Sequence, residues 1–406
     1  MPRLLAPLII PPLLASAVVQ AAAAAGPPAP KAAPAAAAPL APPAPAPPPQ
    51  TPIDTQAQYA WIEEVETGAV LLEKNGDARL YPASMNKMMT AYVVFSMLKD
   101  GRAKLDQRLV VGERAWRLGG SKMFVPLGRH VSIEDLLQGA LVQSGNDACL
   151  VLAEGLAGSE AGFVKLMNET AKKIGLTHSR FDDVTGLPDP NDWTSAHDLA
   201  RLAIRTIEDF PQYYHYYSQR SFTFDRITQQ NRNPLLYKDV GADGLKTGHT
   251  EQSGYSLTAS AKQDGRRIVI VVSGLPTKKA LAEESERLVK WAFREFRDYR
   301  LFGKGERIDE ADTWLGASPR VPLTVARDLV VTLPKKARPE MKVTIDYDNP
   351  VAAPVAKGRK LGTITVSAPG VAPARAPLVA GAAVGRMGRL GHAATLAGYL
   401  IWGNRP

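Results

Sequence analysis

The sequence predicts an α/β domain with an antiparallel sheet, followed by a small all-β module. Alternating apolar and polar runs occur near both ends of residues 54–300, and amphipathic helical stretches lie between them. Beyond residue 300, short alternating runs are separated by proline and glycine turns. A composition of 45% apolar and 22% charged residues is that of an ordinary globular protein.

The N-terminal segment, residues 1–25, has the layout of a secretory signal peptide. Arg3 precedes an apolar run, and small residues with A-x-A matches follow it. The alternative is an uncleaved membrane helix, which three prolines in the apolar run disfavour. Residues 26–53 are almost wholly alanine and proline, which predicts an extended linker before the folded body.

The folded body over residues 54–300 is expected to begin with a β-hairpin at 59–72, which turns at Glu66-Thr67-Gly68. Caps and apolar periodicity then predict a mainly helical segment, and the pattern returns to strands after residue 220. The predicted helices cover 84–99, 132–156, 159–174, 195–208 and 281–297, and the predicted strands cover 221–226, 255–262 and 267–273.

Residues 301–379 are predicted to form the small β-rich domain, with strands at 321–325, 329–333, 342–346 and 361–366. In residues 380–406, Arg386, Arg389 and His392 fall mostly off the apolar side of a helix at 100° per residue. This pattern favours an amphipathic helix on a membrane surface. Five glycines in 381–398 lower its helicity, so a disordered tail is the alternative.

The charge and the residue types exclude several function classes. A net charge of +9 favours contact with anionic lipid or cell-wall polymer. Zinc-ligand spacing, a helix-turn-helix signature and an HExxH motif are all missing, so we expect no nucleic acid, metal or other cofactor. The single cysteine, Cys149, excludes an intramolecular disulfide and is expected to be a buried core residue.

The first of three candidate catalytic motifs is Ser84-Met85-Asn86-Lys87, an S-x-x-K. The same pattern recurs at Ser96-Met97-Leu98-Lys99, but Ser84 opens the predicted helix, where backbone N–H groups are free. Positions i and i+3 share a helix face, so Lys87 can reach the Ser84 hydroxyl. A lysine can act as the base for a serine only if burial and a nearby cation lower its pKa.

The second motif is Ser144-Gly145-Asn146, which is able to split the stretch 132–156 into two helices. It would also serve simply as a helix-connecting turn. Chemically, the Ser144 hydroxyl suits a proton relay, and the Asn146 amide suits a contact with Lys87 or with a substrate carbonyl.

The third motif is Lys246-Thr247-Gly248, ahead of the strand at 255–262. Lys246 and Thr247 suit a substrate carboxylate, and Lys246 is a second cation for lowering the Lys87 pKa. Gly248 allows close approach of a substrate backbone. The alternative is an ordinary turn at the edge of the sheet.

The three motifs in this order resemble those of the penicillin-recognising serine enzymes. The spacings, 60 residues from Ser84 to Ser144 and 102 from Ser144 to Lys246, are similar to those of the low-molecular-mass D-alanyl-D-alanine carboxypeptidases. The resemblance extends to residues 81–90, 144–148 and 244–250 as sequence blocks. It implies a β-lactamase/transpeptidase-like catalytic domain.

The resemblance also implies a role for each motif residue. Ser84 would be the acylated nucleophile, Lys87 its base, Ser144 a proton relay with Asn146 beside it, and Lys246 with Thr247 and Gly248 the carboxylate-binding segment. The backbone N–H groups of Ser84 and His249 would form the oxyanion hole. Arg232 resembles a family arginine near the carboxylate site, although its spacing to Lys246 departs from the family pattern.

The expected reaction is removal of the terminal D-alanine from peptidoglycan stem peptides, with β-lactams as inhibitors. The expected location is the periplasm, at the outer face of the inner membrane. A D,D-endopeptidase would use the same motifs, but the β-rich domain favours the carboxypeptidase. A β-lactamase is disfavoured because the segment 181–193 holds no E-x-x-x-N match, and a wall-binding scaffold would need neither Ser84 nor Lys87.

Overall fold

The computed structural model describes residues 53–369, 371–388 and 391. The predicted signal peptide, residues 1–25, lies outside this part of the chain, as does all but the last residue of the predicted linker, 26–53.

Within residues 53–295, the first strand pair leads into a helical cluster, and three long strands and a helix follow. In chain order the elements are β1 (Tyr59–Glu64), β2 (Val70–Lys74), a 3₁₀ turn (Ala83–Asn86), α1 (Lys87–Lys99), β3 (Arg108–Val110), α2 (Glu113–Arg117), β4 (His130–Ser132), α3 (Ile133–Leu141), α4 (Asn146–Ala157), α5 (Glu160–Ile174), α6 (Ala196–Asp209), β5 (Ser221–Phe224), β6 (Ile227–Gln230), β7 (Ala242–Thr250), β8 (Gly254–Gln263), β9 (Arg266–Leu275) and α7 (Lys278–Glu295).

The centre of this domain is a five-stranded antiparallel sheet in the order β2-β1-β9-β8-β7. Both faces of its middle strand are buried, because Ile268, Ile270 and Val272 pack toward α7 while Val269 and Val271 pack toward the helical cluster. Alternate residues of a strand point to opposite faces, so one apolar run serves two cores. The predicted α/β class with an antiparallel sheet is confirmed.

The helix boundaries follow the caps read from the sequence. The hydroxyls of Ser132, Ser159 and Ser195 accept N–H groups in the first turns of α3, α5 and α6. Gly175 closes α5 in a left-handed conformation with φ +77°. The Ser144-Gly145-Asn146 segment does divide the predicted helix 132–156, because α3 ends at Leu141 and α4 begins at Asn146.

Several details of the fold differ from the sequence-based predictions. Lys246-Thr247-Gly248 precedes the predicted strand as expected but lies inside the edge strand β7, so the alternative of an ordinary turn is wrong. Helix α7 ends at Glu295, two residues early, because Phe296 starts a strand that pairs with the next domain. The short elements α2, β3 and β4 were not predicted, since three to five residues carry too little periodicity.

The β-rich domain follows α7 without a linker. Its strands are β10 (Phe296–Phe302), β11 (Arg307–Trp314), β12 (Arg320–Val325), β13 (Leu329–Pro334), β14 (Lys342–Tyr347), β15 (Val351–Ala352), β16 (Lys360–Ala368) and β17 (Val371–Ala380).

A six-stranded sheet in the order β14-β16-β17-β12-β11-β15 and a β10–β13 pair enclose the apolar core of this domain, which includes Leu323, Ile364 and Leu378. The predicted all-β architecture is confirmed, although β17 was missed because its alanines and prolines give no strand signal.

The start of the predicted C-terminal helix is not helical. Val384 pairs with Val355 and Arg386 pairs with Gly316 in isolated β-bridges, so residues 381–388 belong to the edge of the β-rich domain. The expectation of a helix is therefore wrong for these residues, and most of 389–406 lies outside the described part. Within that part, no helix combines the length and apolar character needed to cross a membrane.

Because β9 is buried on both faces, replacing one of its isoleucines should be costly. We expect Ile270→Ala to lower the free energy of unfolding of the catalytic domain by about 2–5 kcal/mol, through lost transfer energy and a cavity. Chemical denaturation followed by tryptophan fluorescence measures it. The matched control is Ile227→Ala in β6, where the side chain is 41% exposed and the loss should stay near 0.5 kcal/mol. Equal losses would contradict the two-core arrangement.

Candidate active site

The first motif forms the junction between a 3₁₀ turn and α1. Ser84 lies in the turn and is partly exposed, whereas Lys87 is the first residue of α1 and is fully buried. The Lys87 Nζ atom lies 2.8 Å from Ser84 Oγ and 2.6 Å from the backbone oxygen of Thr185. The predicted contact between the two motif side chains is present.

The environment of Lys87 disfavours its charged form. The pKa of Lys87 is lowered to about 8, chiefly by burial and also by the charge of Arg232, while Cys149, Asp183 and Asp147 act in the opposite direction. A lysine with this pKa has a far larger neutral fraction near physiological pH than an ordinary lysine, and a neutral amine can accept a proton from the hydroxyl beside it.

The second motif combines a strained backbone at Ser144 with a side-chain hydroxyl that has no hydrogen-bond partner among the described residues. Ser144 has φ +67°, a left-handed conformation that is unfavourable for a residue with a Cβ atom. Its Oγ atom is buried and has no hydrogen-bond partner among the described residues. Strain of this kind is typical of functional sites, and an unpaired buried hydroxyl is available to a substrate or to an incoming proton.

Asn146 and Asp147 hold the neighbouring loop rather than Lys87. The Asn146 Nδ2 atom donates to the Gly119 oxygen at 2.9 Å. The buried Asp147 carboxylate accepts the backbone N–H groups of residues 123–125. The expected contact between the Asn146 amide and Lys87 is not among the hydrogen bonds of Lys87, which go to Ser84 and Thr185.

The third motif brings β7 against the Ser84 turn. A Cβ atom added to Gly248 would lie 2.9 Å from the Pro82 oxygen and 3.1 Å from the Ala83 Cβ atom. Glycine is therefore required here by the protein's own turn, and the close approach of a substrate backbone stays a prediction. The packing of Gly248 on this turn joins the strand of the third motif to the serine of the first.

Lys246 and His249 occupy opposite environments on β7. Lys246 is buried, and its Nζ atom donates to the Thr247 oxygen at 3.0 Å. Burial and the charges of Lys87 and Arg232 lower the pKa of Lys246 well below its usual value. His249 is exposed, and its ring stacks on Tyr255 with centroids 3.9 Å apart.

Arg232 belongs to the same site in spite of its unusual spacing in the sequence. Its guanidinium donates to the Ser121 hydroxyl at 2.7 Å, and its charge acts on both Lys87 and Lys246. The side chain stays accessible to solvent, although partial burial lowers its pKa. An accessible cation beside two buried lysines makes this part of the site suited to an anionic ligand group.

The loop of residues 181–194 packs against the Ser84 turn and contacts Lys87. Gly186, with φ +79°, packs so closely on the 3₁₀ turn that a Cβ atom would lie 1.7 Å from the Ala83 oxygen. This contact holds the Thr185 oxygen against Lys87. Sequence reasoning missed Thr185, since a backbone carbonyl carries no sequence signal, and it did not assign roles to Asn86, Asp147, Asp183 or Asp192.

The D-alanyl-D-alanine carboxypeptidase family matches residues 45–277, and the family of the C-terminal domain of penicillin-binding protein 5 matches residues 296–386. The chain belongs to the D-alanyl-D-alanine carboxypeptidase family. Membership identifies it as a serine peptidase with the accessory β domain of penicillin-binding protein 5.

Individual relatives agree with this membership. The D-alanyl-D-alanine carboxypeptidase DacA of Haemophilus influenzae is 39% identical over 320 residues, which cover 77% of this chain and 81% of the relative. The crystal structure of penicillin-binding protein 5 from the same organism has a TM-score of 0.77 at 39% identity, covering 83% of this chain and 99% of that one. Penicillin-binding protein D2 of Listeria monocytogenes, solved in its ampicillin-bound form, covers 60% of this chain and 100% of its own, at 30% identity and a TM-score of 0.56.

The packing of Gly186 on the Ser84 turn gives a testable prediction. Gly186→Ala adds a Cβ atom at a positive φ and against the Ala83 oxygen, whereas Gly68→Ala adds one at φ +68° with nothing within 4 Å. Both variants should lose about 1–2 kcal/mol to backbone strain. Only Gly186→Ala should also lose reaction with a fluorescent penicillin, measured on gels beside its melting temperature. Equal penicillin labelling of the two folded variants would contradict the packing.

Proposed function

We propose that Ser84 is the nucleophile of a D-alanyl-D-alanine carboxypeptidase that trims peptidoglycan stem peptides, with Lys87 as its base. The observation that carries the proposal is the 2.8 Å contact between Lys87 Nζ and Ser84 Oγ, made by a buried lysine with a pKa of about 8. A serine hydroxyl needs an adjacent base, and neutral Lys87 can supply one.

The acylation step follows from this contact. Neutral Lys87 takes the Ser84 proton while Oγ attacks the carbonyl of the D-Ala–D-Ala bond. The tetrahedral intermediate collapses when the amine of the terminal D-alanine receives a proton, and Ser84 is left as an ester of the shortened peptide. The unpaired Ser144 hydroxyl suits the delivery of that proton. Water then hydrolyses the ester and restores Ser84.

The developing negative charge on the carbonyl oxygen needs hydrogen-bond donors. The backbone N–H groups of Ser84 and His249 are the proposed pair. Support comes from the close packing of Gly248 on the Pro82–Ala83 turn, which brings the two backbone segments together. His249 itself contributes its backbone, since its ring is occupied by stacking on Tyr255.

The terminal carboxylate of the substrate is proposed to bind Lys246, Thr247 and Arg232. Two buried ammonium groups repel each other, so Lys87 and Lys246 do not both hold a proton easily in the empty site. A carboxylate docked at Lys246 favours the charged form of that lysine. It therefore leaves Lys87 as the neutral member of the pair, which ties the base to the presence of a free C-terminus.

This coupling favours carboxypeptidase over endopeptidase action. An endopeptidase cuts cross-links and has the same motifs, but a substrate with a free terminal carboxylate makes the fullest use of Lys246 and Arg232. The same carboxylate requirement is met by β-lactams, which would acylate Ser84 as inhibitors. We further propose a periplasmic location at the outer face of the inner membrane, supported by the signal-like residues 1–25 and by the apolar and basic residues of 389–406.

The assignment of Ser84 can be tested against the chain's own second S-x-x-K. Ser84→Ala should abolish both labelling by fluorescent penicillin and release of D-alanine from diacetyl-lysyl-D-Ala-D-Ala. Ser96→Ala is the matched control, since Ser96 lies within α1 and is expected to retain wild-type activity. A wild-type protein that neither labels nor releases D-alanine would refute the function, and a labelled Ser84→Ala variant would refute the nucleophile.

The pKa of Lys87 predicts the acid side of the pH profile. The base works when neutral, so the rate constant for acylation by penicillin should rise as pH increases from 6 toward about 8. The charge of Arg232 lowers the pKa of Lys87, so Arg232→Ala should move this rise to higher pH. Stopped-flow measurement of acylation gives both curves. A profile that is flat from pH 6 to 8 would exclude Lys87 as the base.

A further inference from the structure

The Asp183 side chain organises the loop segment that touches Lys87. Its carboxylate accepts the backbone N–H groups of Thr185, Gly186 and Leu187 at 3.1, 2.7 and 3.2 Å, together with the Thr185 hydroxyl. Four donors around one carboxylate stabilise its negative charge. The segment gathered in this way carries the Thr185 oxygen, which lies 2.6 Å from Lys87 Nζ.

Asn86 links this segment to a second carboxyl group. Its Nδ2 atom lies 2.9 Å from Asp183 Oδ1 and 3.1 Å from Asp192 Oδ2. Asn86 is fully buried and Asp192 is 2% exposed. Asn86 precedes Lys87 in the chain, so the bridge joins the first catalytic motif to both ends of the loop beneath it.

The surroundings of Asp192 disfavour a negative charge on its carboxyl group. Asp192 Oδ1 and Asn86 Oδ1 are buried and have no hydrogen-bond partner among the described residues. An ionised Asp192 would leave a charged oxygen buried and without a donor, which is costly. Burial, followed by the charge of Asp183, raises the pKa of Asp192 to about 8, so this group is mainly a neutral acid at physiological pH.

We propose that Asp192 keeps its proton beside Asp183, with the Asn86 amide bridging the two side chains, and that this cluster positions the Thr185 carbonyl, and through it Lys87, for deprotonation of Ser84. The proposal rests on the function given above and assigns three positioning residues to it. None of the three touches the reacting atoms. They act by holding the acceptor that aims the Lys87 amine at Ser84 Oγ.

The charges around the pair determine its pH response. Asp182, Asp183 and Asp189 face Asp192 from its own loop, and the Asp182 backbone N–H offsets part of their effect. Lys87 faces Asp183 from α1. When Asp192 ionises, its buried carboxylate and the partly buried carboxylate of Asp183 meet at one amide, and their repulsion displaces the segment held by Asp183. Acylation should therefore fall on the alkaline side, above about pH 8.

The kinetic test compares acylation by fluorescent penicillin from pH 5.5 to 10 in three proteins. The wild type should pass through a maximum, whereas Asp192→Asn, which is neutral at every pH, should keep its rate beyond the maximum. Asp182→Asn is the matched control, since it removes one charge from the same loop but has no hydrogen bond to Asn86. Because the charge of Asp182 raises the pKa of Asp192 less than that of Asp183, the alkaline fall should remain in this variant and move only slightly to lower pH. Asn86→Ala should lower the acylation rate about tenfold while peptide KM changes little.

A second measurement does not depend on catalysis. The pKa of Asp192 is about 8 in the folded state against an ordinary value near 4 in the unfolded chain. Wild-type stability should therefore decline relative to Asp192→Asn from pH 4 to 8, with no further divergence above that. Melting temperatures of wild type, Asp192→Asn and Asp182→Asn measure this directly, and Asp182→Asn should keep most of the wild-type decline, because the charge of Asp182 is a minor cause of the raised pKa of Asp192.

The outcomes distinguish the protonation of Asp192 from the proposed function. Melting temperatures of wild type and Asp192→Asn that stay parallel from pH 4 to 8 would show that Asp192 does not keep its proton, whether or not the enzyme is active. Diverging melting temperatures with superimposed acylation profiles would overturn the positioning of Lys87. A wild type that is not acylated at all would instead refute the proposed function, while the melting data would still decide whether Asp192 keeps its proton.

Discussion

The site depends on one buried lysine. Lys87 can act as a base because burial removes the stabilisation that water gives to its ammonium form. A buried amine still requires partners, and the Ser84 hydroxyl and the Thr185 carbonyl provide them. The packing around this contact keeps the amine dry and directed at the hydroxyl. Gly186 and Gly248 allow the loop and the edge strand to approach the Ser84 turn from different segments of the chain.

The two buried lysines lie among charges of both signs. The charge of Arg232 lowers the pKa of both Lys87 and Lys246, whereas Asp147 and Asp183 raise the pKa of Lys87. These carboxylates also stabilise two loops, since Asp147 accepts the backbone N–H groups of residues 123–125 and Asp183 accepts those of residues 185–187. The same carboxylates therefore order the loops and tune the base.

Much of the architecture could be read from local chemistry. Serine hydroxyls at N-caps and glycine at a C-cap located α3, α5 and α6 almost to the residue, because capping satisfies backbone groups within the same turn. The position of Ser84 at a helix start distinguished it from Ser96 for the same reason. Short elements such as β3 and α2 were not predicted, and neither was β17, because these elements are stabilised by neighbours distant in the sequence.

Residue types and their order were sufficient to identify the nucleophile, the base and the carboxylate-binding lysine as candidates, since each of those roles requires a particular functional group. Tertiary structure alone decided what surrounds them. It placed Gly248 against the protein's own turn, directed the Asn146 amide to Gly119 and supplied the Thr185 carbonyl to Lys87. It also buried Asp192 beside Asp183. The reason is physical: burial and backbone contacts arise from segments a hundred residues apart, and their effect on a pKa has no local signature.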